Sequence, residues 1–345
     1  MNNSIMYQEI HMIRDSLNLT YDANKDKIKD FVKTFKEKEI SNVVIAARGS
    51  SDNVGTYLKY ILEIYAHIPV SFAASSVITK YNSYLNFKNT LVIGISQSGS
   101  GKDIFEFVDK AKNNGALTLA ITNDSSSIVA KACDYHFCLN LTREKGLAAT
   151  KTFISQLYVS LLFVAELTNN QILNNSLNKL DDLILEVLNN EKHINEISKL
   201  MKDFNDIYLL SRGINYVSSL EGALKIQETT YIKAKAYASS DFYHGPMAIA
   251  DENQNFLLLS SKGMCEDDNH EIYEKLKNIG ANLFVISNDE YFNNCKNLIK
   301  IPNCDEVIAP FLIIISIQLL ACNLSLIRGI DVDNPRNLKK VTITR

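Results

Sequence analysis

Half of this chain repeats the other half. The stretch Lys110–Asp124, KAKNNGALTLAITND, recurs as Lys275–Asp289, KLKNIGANLFVISND, with Gly115 matching Gly280 at an offset of 165. Upstream, Leu91–Ile95 before Gly99 answers Phe256–Leu259 before Gly263, and Arg48-Gly49 answers Arg212-Gly213 at an offset of 164. A unit that occurs twice in 345 residues has the length of an ordinary domain with its own core. Within each copy, short apolar β-branched runs alternate with amphipathic stretches of helix length, the pattern of βαβ units feeding a parallel sheet.

Strands are expected near Val43–Ala47, Val70–Ala73, Leu91–Ile95, Leu117–Ile121 and His136–Leu139 in the first copy. In the second they are expected near Ile207–Leu210, Phe256–Leu259, Leu283–Ile286 and Leu298–Ile301. Their unbroken apolar character suits strands covered by helices on both faces. Between the copies, Ile172–Lys202 is polar, helical in period and free of Gly and Pro, so it reads as a helical connection. The expected organisation is a helical segment over 1–30, a first domain over 31–171, the connection over 172–202, a second domain over 203–330 and a tail over 331–345.

Composition narrows the function classes. With 36 basic and 39 acidic residues the net charge is −3, which argues against a polybasic nucleic-acid or membrane-surface protein. Six cysteines never form a C-x-x-C, and the N-terminus has no apolar core behind a basic flank. A reduced, cytoplasmic setting is therefore expected, with no signal peptide, no zinc ribbon and no metal. The uncharged run Val307–Ile327 imitates a membrane span, but Pro310, Ser316, Gln318 and Asn323 interrupt it, so a buried core helix is expected.

In open parallel sheets, ligands collect beyond the carboxyl ends of the strands, where N–H groups at helix starts favour anions. After the first expected strand comes RGSSDNVG, Arg48–Gly55, and after the third SQSGSGKD, Ser96–Asp103. Ser50, Ser51, Ser96, Gln97 and Ser98 make a neutral, donor-rich cradle suited to a monophosphate. The nucleotide loops do not fit: a P-loop needs Gly at Ser96 and Ser or Thr at Asp103, and a dinucleotide fingerprint needs Gly at Ile104. The second copy has the acidic loop SSKGMCEDD, Ser260–Asp268, at the equivalent place, so phosphate binding is expected in the first copy alone.

The second copy has its own polar features. Glu221, Lys225 and Glu228 fall on one helical face, a spacing that also suits a solvated salt-bridge stripe. His244 precedes a Gly-Pro turn, and the chain ends DNPRNLKKVTITR from Asp333. Seven segments in order, MYQEI (Met6–Ile10), RGSS (Arg48–Ser51), SQSG (Ser96–Gly99), EKGLAATKTF (Glu144–Phe153), LEGALK (Leu220–Lys225), HGP (His244–Pro246) and DNPRNL (Asp333–Leu338), resemble the tandem sugar isomerase (SIS) domain family, specifically the isomerase half of glucosamine-6-phosphate synthases.

The resemblance implies an α/β fold of two tandem flavodoxin-like αβα sandwiches with parallel sheets, acting on a phosphorylated hexose or hexosamine without a cofactor. It implies that Ser50, Ser51, Ser96, Gln97 and Ser98 hold the sugar phosphate, that Glu228 shuttles a proton between C1 and C2, that His244 opens the ring, that Lys340 forms a Schiff base, and that Glu144 and Lys225 line the pocket. It also implies a homodimer in which His244 serves the neighbouring subunit. Three positions depart from the family pattern: Gly101 replaces a threonine, with Ser100 the nearest substitute, Asp241 replaces a glutamate, and Lys339 replaces a small residue. No glutaminase segment is found, and the second residue is Asn2 rather than a cysteine, so isomerising deamination of glucosamine 6-phosphate to fructose 6-phosphate and ammonia is the expected activity. The alternatives are a fructosamine-6-phosphate deglycase, an aminotransferase subunit fed with external ammonia, and a noncatalytic sugar-phosphate sensor.

Overall fold

Ten strands form two parallel sheets in the computed structural model, which describes residues 3–340. Residues 1–2 of the expected N-terminal helical segment and 341–345 of the expected tail lie outside the described residues. The first sheet holds β1 (Asn42–Ala46), β2 (Val70–Phe72), β3 (Thr90–Ile95), β4 (Leu117–Thr122) and β5 (Tyr135–Cys138), in the order β2-β1-β3-β4-β5. The second holds β6 (Asp206–Ser211), β7 (Lys233–Ala238), β8 (Asn255–Leu259), β9 (Asn282–Ser287) and β10 (Leu298–Lys300), in the order β7-β6-β8-β9-β10. The two orders are the same when each copy is counted from its own first strand. Val44 pairs with Val92 and Tyr208 with Phe256, equivalent pairs at an offset of 164. Leu91 pairs with Leu117 but Asn255 with Asn282, so the second copy has one more residue between these strands and the offset becomes 165.

The chain divides into two compact units, each built from separate stretches. One comprises Met12–Lys145, Lys151–Asn174 and the chain from Lys339, and contains the first sheet; the other comprises the chain up to His11, Gly146–Thr150 and Asn175–Leu338, and contains the second.

In the first unit, β3 and β4 are buried at every residue, as strands with helices on both faces should be. The helix Ile13–Glu37 packs along the helix Lys151–Thr168, and Phe31 meets Phe137 and Phe163 edge to face. Polar groups then fix the edge strand to this layer: Thr20 Oγ1 donates to the Leu139 carbonyl at 3.0 Å and Asn24 Nδ2 to that of Cys138 at 2.7 Å.

The second unit is organised on the helix Ala309–Ile327. It is long and apolar enough to cross a membrane, yet 89% of its most apolar stretch is buried, and it packs on the helices Glu191–Leu200 and Tyr216–Thr230. A helix apolar on all sides is stable in such a core because every face is covered. Two of the polar interruptions find acceptors there: Ser316 Oγ donates to the Leu312 carbonyl at 2.9 Å and Gln318 Nε2 to that of Thr150 at 3.5 Å, while Gln318 Oε1 and Asn323 Nδ2 are buried without a hydrogen-bond partner among the described residues. The connecting region forms two helices, Gln171–Asn189 and Glu191–Leu200, interrupted at Asn190.

One strand departs from the sequence reading. Lys233–Ala238, KAKAYA, reads as a polar stretch but pairs along its whole length with β6 as β7. It is an edge strand with exposed Lys233 and Lys235, and an edge keeps its lysines in water while completing only one ladder.

Gly222 sets the closeness of the Tyr216–Thr230 helix to its neighbours. A Cβ there would lie 2.8 Å from both Ile317 Cδ1 and Leu209 Cδ2. Gly222→Ala should therefore cost about 1–3 kcal/mol by overpacking, read as a lower urea midpoint with an unchanged slope. Equal or higher stability would show that the helix can shift outward freely.

Candidate active site

The two serine loops of the first unit lie at the carboxyl ends of β1 and β3 and are tied together by charge. Arg48, in the first loop, places Nη2 2.9 Å from Oδ2 of the buried Asp103, in the helix Lys102–Asn113 that follows the second. Gly99 turns the second loop at a φ of +63°, and a Cβ there would lie 2.1 Å from Ser127 Oγ, so no other residue fits. The loop's hydroxyls cap its own backbone: Ser96 Oγ accepts the Gly99 N–H at 3.1 Å and Ser98 Oγ that of Ser100 at 3.3 Å. Ser50 opens the helix Ser50–Ile61, whereas Ser51 is buried and donates to Gln156 Oε1 at 3.4 Å.

Beside the second loop is a cleft of about 510 Å³, lined among others by Gln97, Ser98, Ser100, Arg143, Glu144 and Lys340. Glu144 organises it. Its side chain has no exposed surface, Oε1 accepts the Thr152 N–H at 3.2 Å, and Oε2 accepts Gln97 Nε2 at 2.9 Å and Lys340 Nζ at 3.1 Å. A buried carboxylate stays ionised only with donors of this kind around it. Lys340 keeps 22% of its side chain exposed, so its amine sits at the boundary between buried acceptor and open cleft.

The second unit presents a different cluster. On the helix Tyr216–Thr230, Lys225 is wholly buried, with Nζ 2.5 Å from Glu228 Oε2 and 3.4 Å from Glu221 Oε1. Burial alone pulls the lysine pKa down, but the two carboxylates outweigh it and hold it above the usual lysine range. These residues are therefore a buried network, with Glu228, 20% exposed, its outlet to solvent. His244 follows the short helix Ser239–Tyr243; it is exposed, and its ring hydrogen-bonds to none of the described residues.

The repeat also shows what the second copy has done with its equivalent loop. There the N–H of Gly263 donates to Glu266 Oε2 at 3.1 Å and that of Met264 to Glu306 Oε2 at 3.2 Å. Side-chain carboxylates occupy donors that the first copy satisfies with serine hydroxyls. Burial raises the Glu306 pKa, only partly offset by the Met264 N–H. Arg212 nevertheless keeps the loop tie seen in the first copy, with Nε 3.2 Å from Asp268 Oδ2.

Of the residues singled out in the sequence, the structure brings Gln97, Ser98, Glu144 and Lys340 to one cleft and joins Lys225 to Glu228; Ser50, Ser51 and Ser96 are not among the cleft-lining residues. Asn123, Asp124 and Arg143 also line the cleft and lie outside the sequence expectations. Asn123 and Asp124 could have been found from the strand-end rule applied to β4, and Arg143 from its place beside Glu144.

A model of the SIS domain matches residues 38–165 and again 200–328. Among curated proteins, glutamine–fructose-6-phosphate aminotransferase (isomerizing) of Aquifex aeolicus is 35% identical over 339 residues, covering 93% of this chain and 56% of that protein. The Escherichia coli protein of the same name is 35% identical over 325 residues, covering 88% and 52%. The chain thus spans about half the length of the curated relatives it matches. Among solved structures, the C-terminal domain of glucosamine-fructose-6-phosphate aminotransferase from Francisella tularensis superposes with a TM-score of 0.85 at 26% identity, covering 96% of this chain and 98% of that one. A glucosamine-6-phosphate deaminase from Thermotoga maritima shares the fold, with a TM-score of 0.74 at 22% identity over 99% of this chain and 100% of the other. With the fold repeated in both halves and the family model matched in both, the chain belongs to the SIS domain family and carries the domain twice.

Proposed function

We propose that this protein is a phosphosugar isomerase that converts a 6-phosphorylated amino sugar, glucosamine 6-phosphate, and water to fructose 6-phosphate and ammonia. The observation that carries the reading is the Lys340 amine, 3.1 Å from the buried Glu144 carboxylate, in a cleft also lined by Ser98 and Ser100 of the strand-end loop. A ketose–aldose shift needs a phosphate anchor, an electron sink at the carbonyl and a base that moves one proton between C1 and C2.

In this reading Ser50, Ser51, Ser96, Gln97 and Ser98 with their loop N–H groups hold the phosphate. Glu228, its charge held in place by Lys225, carries the proton from C2 to C1 of the ring-opened amino sugar and so yields the C2 imine. Lys340 adds to that imine and ammonia leaves, and water then hydrolyses the Lys340 imine to release fructose 6-phosphate. His244 moves the ring-hydroxyl proton. Its exposure supports the view that it serves a second copy of the chain, completing a partner's site in a homodimer. Deamination needs water alone as co-reactant, whereas the reverse direction needs a nitrogen donor and releases water.

The direct test is a panel of 6-phosphorylated amino sugars and fructosamines, with ammonia and ketose phosphate measured together. Equimolar release of both from glucosamine 6-phosphate is expected. Release of a free amino acid from a fructosamine, or no turnover of any member, would overturn the assignment. Ser96→Ala with Ser98→Ala should raise KM roughly 100-fold or more with the fold intact, because each removes a hydrogen bond to a charged phosphate worth about 1.5–3 kcal/mol. A wild-type KM in the double variant would put the phosphate elsewhere. Mixing inactive Glu228→Gln and His244→Asn proteins under subunit exchange should restore about a quarter of wild-type activity, since half the dimers are mixed and each has one intact site. No recovery after exchange verified by mass would mean that His244 acts within its own chain.

A further inference from the structure

Asn123 lines the cleft but has no part in the proposed chemistry, and it lies in the same compact unit as Gln97, Leu141, Glu144 and Lys340. β4 and β5 pair as far as Thr122 and Cys138, and the Leu139 N–H still reaches the Thr122 carbonyl at 3.0 Å. Asn140 then turns the chain at a φ of +58°, and residues 139–145 have no regular secondary structure. Beyond the turn the Asn123 side chain takes over from the sheet. Its Nδ2 donates to the Leu141 carbonyl at 3.0 Å and its Oδ1 accepts the Leu141 N–H at 2.8 Å. A side-chain amide carries the same donor and acceptor as a peptide group, so these two hydrogen bonds act as one more rung of pairing. The Asn123 N–H donates to the Gln97 carbonyl at 2.9 Å, and Gln97 Nε2 in turn donates to Glu144 Oε2 at 2.9 Å. These bonds and the chain from Leu141 to Glu144 close a ring through Asn123. The second copy uses its equivalent residue differently. Asn288 matches Asn123 at the offset of 165; its Oδ1 accepts the N–H of Lys262, the equivalent of Gln97, at 2.9 Å, and its Nδ2 reaches the Cys304 carbonyl only at 3.4 Å. The two-bond grip on one residue belongs to the copy that has Glu144.

We infer that Asn123 is a positioning residue whose amide fixes Leu141 and thereby sets Glu144 against Gln97 and the Lys340 amine. Leu141 is buried, and among the described residues its N–H and carbonyl are hydrogen-bonded to Asn123 alone. Without that amide both groups must find new partners or carry the full cost of desolvation, so the stretch from Leu141 to Glu144 shifts. Two other ties on this stretch, Lys151 Nζ to Thr142 Oγ1 at 3.0 Å and the Thr152 N–H to Glu144 Oε1 at 3.2 Å, come from the helix Lys151–Thr168. They hold it to that helix, whereas Asn123 holds it to the end of β4. A displacement of about 1 Å in a reacting constellation is enough to cost on the order of 100-fold in rate. The kinetic consequence rests on the phosphosugar reading; the geometric consequence does not.

Both are measured on the full chain with Asn123→Ala, with Asn123→Asp, which keeps an oxygen for the Leu141 N–H, and with Asn288→Ala as the counterpart in the second copy. The first readout is hydrogen–deuterium exchange resolved to single amides. In Asn123→Ala the Leu141 amide should exchange about tenfold faster or more, while that of Leu139, bonded to the Thr122 backbone, keeps its rate. Asn123→Asp, which loses only the donor, should show the same effect at about threefold, and it decides the question if Asn123→Ala does not fold. The second readout is kinetic. Truncating the side chain leaves the backbone bond to Gln97 and the serine loop in place, so kcat should fall about 10- to 100-fold with KM within roughly threefold of wild type. Asn288→Ala removes the same amide from the other copy and should keep kcat within roughly threefold, a contrast that general destabilisation does not produce. An unchanged Leu141 rate in the folded variants, a change shared equally by Leu139, or an equal fall of kcat in Asn288→Ala would overturn the inference. Wild-type protein that turns over no phosphosugar would instead overturn the functional reading, and the exchange result would still decide what Asn123 holds.

Discussion

A carboxylate with no exposed surface is costly to keep charged, and the first unit spends three donors on one. Glu144 is bound by a backbone N–H from Thr152, a side-chain amide from Gln97 and the Lys340 ammonium. Each donor comes from a different place: the start of a long buried helix, the strand-end loop and the tail. Because an unpaired charge there would be costly, satisfying Glu144 orders all three segments together. Glu144, Gln97 and Lys340 all line the cleft beside the loop.

The repeat shows how two copies of one fold can part in chemistry. Both sheets have the same strand order, and both keep an arginine in the first loop bound to an aspartate near the start of the later helix. They differ in what faces the N–H groups of the second loop. The first copy uses neutral hydroxyls, which can turn to a phosphate, and the second uses Glu266 and Glu306, whose negative charge opposes one. The second copy instead buries the Glu221–Lys225–Glu228 network, a combination the first lacks at its equivalent helix. In the proposed reading, anion binding and charged side-chain chemistry are divided between the copies.

The repeat and the nine strands read from apolar runs were legible because buried parallel strands leave a strong local signal. The edge strand β7 was not, since alternating Lys and Ala carry little apolar signal and its pairing with β6 is decided in three dimensions. The serine loops were legible from their place after strands, yet the inward bond of Ser51 to Gln156, 105 residues away, was not. Glu9 is the clearest case: it lies in a recognisable segment, but its partner Gly146 is 137 residues distant and is used through its backbone, which has no residue signature. Uncharged Val307–Ile327 was legible as a core helix because Pro310, Ser316, Gln318 and Asn323 interrupt its apolar run, and a packed interior can offer Ser316 and the Gln318 Nε2 an acceptor.

The central claim is that the Lys340 amine is the group that meets the sugar carbonyl. Incubating the protein with fructose 6-phosphate and borohydride reduces any imine to a stable amine, and peptide mass spectrometry then locates it. The account predicts the reduced sugar phosphate on Lys340, lost when Ser96 and Ser98 are both alanine. A label on Lys339 or Lys225, or no label under conditions of measurable turnover, would contradict it.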